Sequence, residues 1–147
     1  MARYSIGGIS SAAATATLPA FTLAAASGSG CRLREVGIFN TTATSFYASL
    51  RRFSTAGTRG AAVTAVPDDP NSPAAACTGA DANTSTAPTL VAGTQRIATL
   101  PAAIGGGVIW TFGDSGLALL AGTGNMYGIL CPSGTGQVFT YYFAWDE

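Results

Sequence analysis

Wherever the chain carries a clear pattern of apolar and polar positions, its period is two. From Phe46 to Arg51 the apolar Phe46, Ala48 and Leu50 alternate with Tyr47, Ser49 and Arg51, which predicts a strand with one buried face. The segment Gln137 to Trp145 is the clearest, with Phe139, Tyr141, Phe143 and Trp145 on one side and Val138, Thr140, Tyr142 and Ala144 on the other. Its aromatic row is expected in the core, because aromatic side chains bury the most area. Further strands are expected at Tyr4 to Ile9, Ala16 to Leu23, Cys31 to Asn40, Thr44 to Phe53, Val108 to Phe112, Gly116 to Leu120 and Met126 to Cys131. Turns rich in Gly separate the later ones, at Gly113-Asp114-Ser115, Gly122-Thr123-Gly124 and Ser133-Gly134-Thr135-Gly136. Cys31 to Asn40 and Thr44 to Phe53 read as a hairpin joined through Asn40-Thr41-Thr42. Leu100 to Gly107 is expected to hold one short helical turn. About eight short strands with regular turn signals predict a single all-β domain over residues 1–147: an antiparallel β-sandwich, jelly-roll-like, with no internal repeat.

Between residues 55 and 94 the pattern lapses. Pro67, Pro70, Pro73 and Pro88 lie among Ala, Thr, Asn and Asp, with few large apolar residues. Long loops of this kind tend to be functional, so the segment is expected to be a Pro-rich arm held by neighbouring subunits.

Ala, Gly, Thr and Ser fill 78 of the 147 positions. With zero net charge the chain lies outside the disordered class, so this bias predicts a thin core instead of none. Charged residues make up 10% of the chain, against roughly 25% in ordinary soluble domains, so much of the surface is expected to face other protein. All seven cationic side chains are Arg, and there is no His. The commonest general base and metal ligand are therefore missing, and so are Schiff-base chemistry and the P-loop lysine. A non-enzymatic protein without cofactor or metal is the expectation. Cys31, Cys77 and Cys131 form no CxxC pair, which leaves three small buried thiols, or one disulfide and a free thiol. Ala12 to Ala26 has the outline of a weak secretory signal, but three threonines and Pro19 interrupt it. No run approaches the roughly 18 apolar residues of a membrane span.

Gly113-Asp114-Ser115-Gly116 resembles the nucleophile blocks of GDSL-type hydrolases and trypsin-like proteases, both of which require a histidine base; here it is read as a tight turn. Gly122-Thr123-Gly124 to Gly128 misses the dinucleotide-binding spacing and opens a strand where a helix is needed. Asp68 and Asp69, beside Asn71, lack the ligand periodicity of a calcium loop and read as a solvated turn or as partners for Arg on another chain. Five of the seven arginines fall within 28 residues, and Arg51, Arg52 and Arg59 are the candidate contacts to partner carboxylates. A neutral chain supplies too little basic excess for nucleic acid. Asn40-Thr41-Thr42 and Asn83-Thr84-Ser85 fit the glycosylation acceptor pattern.

Two stretches carry a family likeness. Arg34-Glu35-Val36-Gly37-Ile38-Phe39-Asn40 with Thr41-Thr42 is one, and Gly107-Val108-Ile109-Trp110-Thr111-Phe112-Gly113 with Ala121-Gly122-Thr123-Gly124-Asn125 and the terminal Tyr142-Phe143-Ala144-Trp145-Asp146-Glu147 is the other. Together they resemble a family of small virion proteins of tailed bacteriophages, over roughly half of the chain. The resemblance implies a virion structural protein. Through small jelly-roll proteins that sit on a major capsid lattice, it implies a capsid cement or decoration protein on the outside of the head, made in the host cytoplasm. The partners implied are the major capsid protein and further copies of this chain, with no nucleic acid and no membrane. In that reading the arm from Ala65 to Pro88 lies along a neighbour, Arg51, Arg52 and Arg59 pair with lattice carboxylates, and Asp146 and Glu147 are free to engage a partner's Arg. A tail or head-to-tail component is the first alternative. The second is a small carbohydrate-binding sandwich with Tyr47, Trp110 or Tyr127 as its stacking platform.

Overall fold

The computed structural model describes residues 1–147. Its strands in chain order are β1 (Arg3–Ile9), β2 (Phe21–Ala24), β3 (Cys31–Asn40), β4 (Phe46–Phe53), β5 (Ala62–Val63), β6 (Val66–Pro67), β7 (Thr78–Asp81), β8 (Arg96–Leu100), β9 (Gly107–Thr111), β10 (Leu117–Leu119), β11 (Met126–Leu130) and β12 (Phe139–Asp146), with no helix. They form two antiparallel sheets. The first runs β10-β3-β12-β1-β6, with β9 following β10 along the same side of β3; the second runs β5-β7-β2-β11-β4-β8. The all-β sandwich is therefore as the alternation predicts.

The sheets meet through apolar faces. Phe139, Tyr141, Phe143 and Trp145 of β12 are all buried, and so are Phe46, Ala48 and Leu50 of β4. Rings from opposite sheets touch, with Phe21 of β2 centred 4.2 Å from Tyr141 and 4.7 Å from Phe143. Each fully buried Phe contributes roughly 1.5–3 kcal/mol. A few aromatic side chains thus supply a core that the abundant small residues cannot.

No strand pairs with its successor in the chain. This overturns the expected hairpin, because β3 lies in the first sheet and β4 in the second. The reason sits at Asn40, which is buried. Its Nδ2 donates to the carbonyls of Thr44 and Pro101, and its Oδ1 accepts from the backbone N and hydroxyl of Thr42. These bonds carry the chain across the sandwich and do not fold it back. The inward faces of β3 and β4 consequently oppose each other through the core.

Residues 55–94 are not a free arm. β7 extends the second sheet by pairing with β2, β5 pairs with β7, and β6 pairs with Tyr4 and Ser5 of β1 in the first sheet. Pro67 is tolerated because β6 is an edge strand. Gly79 lets β7 approach the core, since a Cβ there would lie 2.2 Å from Cδ1 of Ile6. The insertion folds onto its own sandwich and closes one side of it. The helical turn expected within Leu100 to Gly107 is a β-turn closed by Gly106 N donating to the Ala103 carbonyl, and Arg96–Leu100 before it is a strand. All three cysteines are buried and unpaired.

Candidate interaction surface

Most of the charged residues singled out from the sequence serve the fold. Asp146 is buried and bridges two arginines, with Arg3 Nε 2.9 Å from Oδ1 and Arg34 Nε 2.5 Å from Oδ2. Burial works to raise its pKa, but the hydrogen bonds and charges of Arg3 and Arg34 prevail and hold the carboxyl below the usual aspartate range. Glu147 is equally engaged: its carboxylate accepts from Ala76 N at 2.7 Å, Cys77 N at 2.8 Å and Trp145 Nε1 at 2.8 Å. Neither acid is free for a partner's Arg: Asp146 ties β12 to β1 and β3 within the first sheet, and Glu147 ties the insertion to that sheet.

Arg59 is likewise consumed. Its guanidinium donates to the hydroxyl and carbonyl of Thr22 at 3.2 and 3.3 Å and to those of Thr78 at 2.8 and 2.6 Å, clamping β2 to β7. Burial lowers its pKa. Arg51 and Arg52 are half-buried on β4; Nε of Arg51 is enclosed without a partner, and the Arg52 carbonyl accepts from Val91 N. Asp68 and Asp69 are exposed, and the Asp69 carboxylate accepts from N and Nδ2 of Asn71, which makes the segment a side-chain-capped turn. The seven residues therefore form no common patch.

Other motifs are resolved the same way. The backbone of Gly113-Asp114-Ser115 receives Arg34 Nη1 at the Gly113 and Asp114 carbonyls and Arg32 Nη1 at the Ser115 carbonyl, so the string is a turn gripped by β3. Of the three aromatic residues considered for stacking, Trp110 and Tyr127 are buried and Tyr47 alone is exposed. Of the three, Tyr47 is therefore the one open to stacking. Asn40 and Asn83, the glycosylation candidates, are both buried.

A different surface emerges on the outer face of the first sheet. Register stacks three cross-strand rows there: Thr111, Glu35, Ala144, Ser5 and Val66; then Ile109, Gly37, Tyr142 and Gly7; then Gly107, Phe39, Thr140 and Ile9. Small residues occupy most positions, so the face is flat. Ile9, Val66 and Ile109 stand out of it with 64%, 59% and 51% of their surface in solvent. The rings of Phe39 and Tyr142 stack at 6.4 Å between them.

A β-bulge at Ala144/Trp145 organises the charged end of this face. It faces two residues of β3, Arg34 and Glu35, outward in succession, as bulges do. Arg34 thereby reaches Asp146, while Glu35 Oε1 accepts the Tyr142 hydroxyl at 2.6 Å. Burial, then the hydrogen bond and charge of Glu35, push the Tyr142 phenol up to about 12, so it remains a donor at neutral pH. The result is a flat apolar centre bordered by the Arg34–Asp146 ion pair and Glu35, a shape suited to contact with another protein surface. The sequence signal that marks it is the second row of β12, through Tyr142, together with isoleucines at strand positions that face away from the core. Comparison of the chain with protein-family models, with curated proteins and with solved structures finds no match.

Proposed function

We propose that this chain is a structural protein of a bacteriophage virion, a cement or decoration protein that docks on the outside of the major capsid lattice through the outer face of its β12 sheet. The observation that carries the reading is the solvent-exposed trio Ile9, Val66 and Ile109 around the Phe39–Tyr142 stack, on a face of small residues. Apolar groups grouped in this way mark contact surfaces on proteins, and the centre of an interface is poor in charge.

The strand order supports a jelly-roll reading. With β9 and β10 taken as one interrupted strand, β1, β12, β3 and β9–β10 face β2, β11, β4 and β8, and the chain passes between the layers at most connections. Jelly rolls recur in viral shells and in lectins, an analogy of fold alone. The phage likeness of residues 31 to 54 and 105 to 147 favours the shell.

In this role the mechanism is linkage. A protein that binds only the assembled lattice stabilises it by mass action, and many copies repeat the gain. Counting copies in purified particles by quantitative mass spectrometry tests the proposal: a cement protein is present in hundreds, a tail component in a few. Absence from particles, or only a few copies, contradicts it.

A further inference from the structure

The two sides of the sandwich end differently. On the insertion side the outermost strands are β5 and β6, two residues each, and β6 ends in Pro67. On the other side lie the edges of β8 and β9, five residues each. β8 carries Arg96, whose guanidinium lies 5.2 Å from the centre of the Phe112 ring. β9 has no such guard: from Gly105 to Gly113 the chain holds no charged residue and no proline, and β3 is the only strand beside it. Charge, proline and shortness are the usual devices that keep sheet edges from pairing with one another.

The ladder fixes which way the β9 backbone points. Phe112 N donates to the Arg34 carbonyl and Asn40 N to the Gly106 carbonyl, and the register between them is unbroken. Residues 106, 108, 110 and 112 therefore turn their N–H and C=O groups toward β3. Those of Gly107, Ile109 and Thr111 turn outward, because the direction alternates along an antiparallel strand. All three residues are exposed, and nothing in the chain bonds to these outward groups.

We propose that β9 pairs antiparallel with β9 of a second copy, about a two-fold axis at Ile109, so that the first sheets of two chains become one. That register sets Ile109 against Ile109, Gly107 against Thr111 and Gly105 against Gly113. Every outward group of β9 then meets its complement, and no like charges oppose each other. Gly105 and Gly113, at φ of 81° and 60°, turn the chain away at both ends of the paired stretch, and a Cβ at either would meet nothing within 4 Å. The row Ile109, Gly37, Tyr142 and Gly7 runs on into the same row of the second copy, which doubles the width of the flat outer face. The pairing needs no capsid, so it does not rest on the proposed docking.

The test is sedimentation equilibrium of the full chain across the micromolar range, with amide hydrogen exchange at the same concentrations. The parent should be a dimer, and the amides of Gly107, Ile109 and Thr111 should exchange at least several-fold more slowly as concentration rises. Thr111→Pro deletes an N–H that β3 does not use, so the chain should still fold while its dimer dissociation constant rises at least about tenfold. Ile109→Cys should cross-link two chains under mild oxidation, since the Cα atoms of a hydrogen-bonded antiparallel pair lie about 5.5 Å apart, within disulfide reach. The native Cys31, Cys77 and Cys131 are buried and should not compete. A dimer in which those three amides exchange as freely as at high dilution, an Ile109→Cys chain that stays uncrosslinked, or a folded Thr111→Pro that dimerises like the parent would overturn the proposal. A monomeric parent would overturn it too, and would leave the docking face standing.

Discussion

The ring of Tyr142 lies directly over Gly37, its cross-strand partner: a Cβ on Gly37 would sit 2.1 Å from Cε1 of that ring. An aromatic side chain covering a glycine across a sheet shields backbone that has no side chain of its own. Here the ring is held from its far end too, by the hydroxyl bond to Glu35. Gly37→Ala must expel the ring and should cost about 1–3 kcal/mol in chemical denaturation. Combined with Tyr142→Ala, the added loss should be much smaller than the sum of the two single losses, because the clash is gone.

Acid should weaken the corner where β12 ends. The Asp146 carboxyl has a folded-state pKa below its unfolded value, so its stabilisation is complete above about pH 4 and is lost as pH falls through the folded pKa. Asp146→Asn removes that dependence while keeping the shape. The variant should be about 1–3 kcal/mol less stable at neutral pH, with a flatter Tm profile between about pH 5 and 2.

Arg59 is expected to matter for the fold and not for partner binding. Arg59→Ala deletes the fork between Thr22 and Thr78 and should cost about 1–3 kcal/mol. Hydrogen exchange should speed up in β7 and β5 before it does so in β12. Unchanged protection of β7 would show that the fork is not what seats the insertion.

Folding should be slow for a chain of this size. Every sheet contact joins strands that are not successive, so loop closure precedes each stabilising pair. Stopped-flow refolding with Trp fluorescence should give a main phase in milliseconds to seconds. A microsecond phase carrying most of the amplitude would argue against this topology as the rate-setting feature.

Periodicity revealed the long strands and the aromatic core because Phe139, Tyr141, Phe143 and Trp145 repeat strictly at every second residue. It did not reveal pairing. The short link after Asn40 has the composition of a hairpin turn, yet the bonds of its buried side chain decide where the chain goes, and those partners lie as far away as Pro101. β5 and β6, at two residues each, are too short to show a period, and β7 shows none because Gly79 and Ala80 pack through the absence of bulk. For the surface, counting charges pointed to Asp146, Glu147 and Arg59, the groups that the interior recruits. Exposed Ile9 and Ile109 were hidden inside segments already assigned to strands, and only register shows that they share a face.

The proposed docking face is tested most directly by co-sedimentation with phage heads, stripped of this protein, from the virus that the proposed function assigns as its source. Ile9→Asp and Ile109→Asp place charge on exposed positions, so both variants should fold with Tm close to that of the parent chain. The parent should pellet with the heads at saturable occupancy, and the double variant should remain in the supernatant. A well-folded double variant that decorates heads as fully as the parent would contradict this docking face.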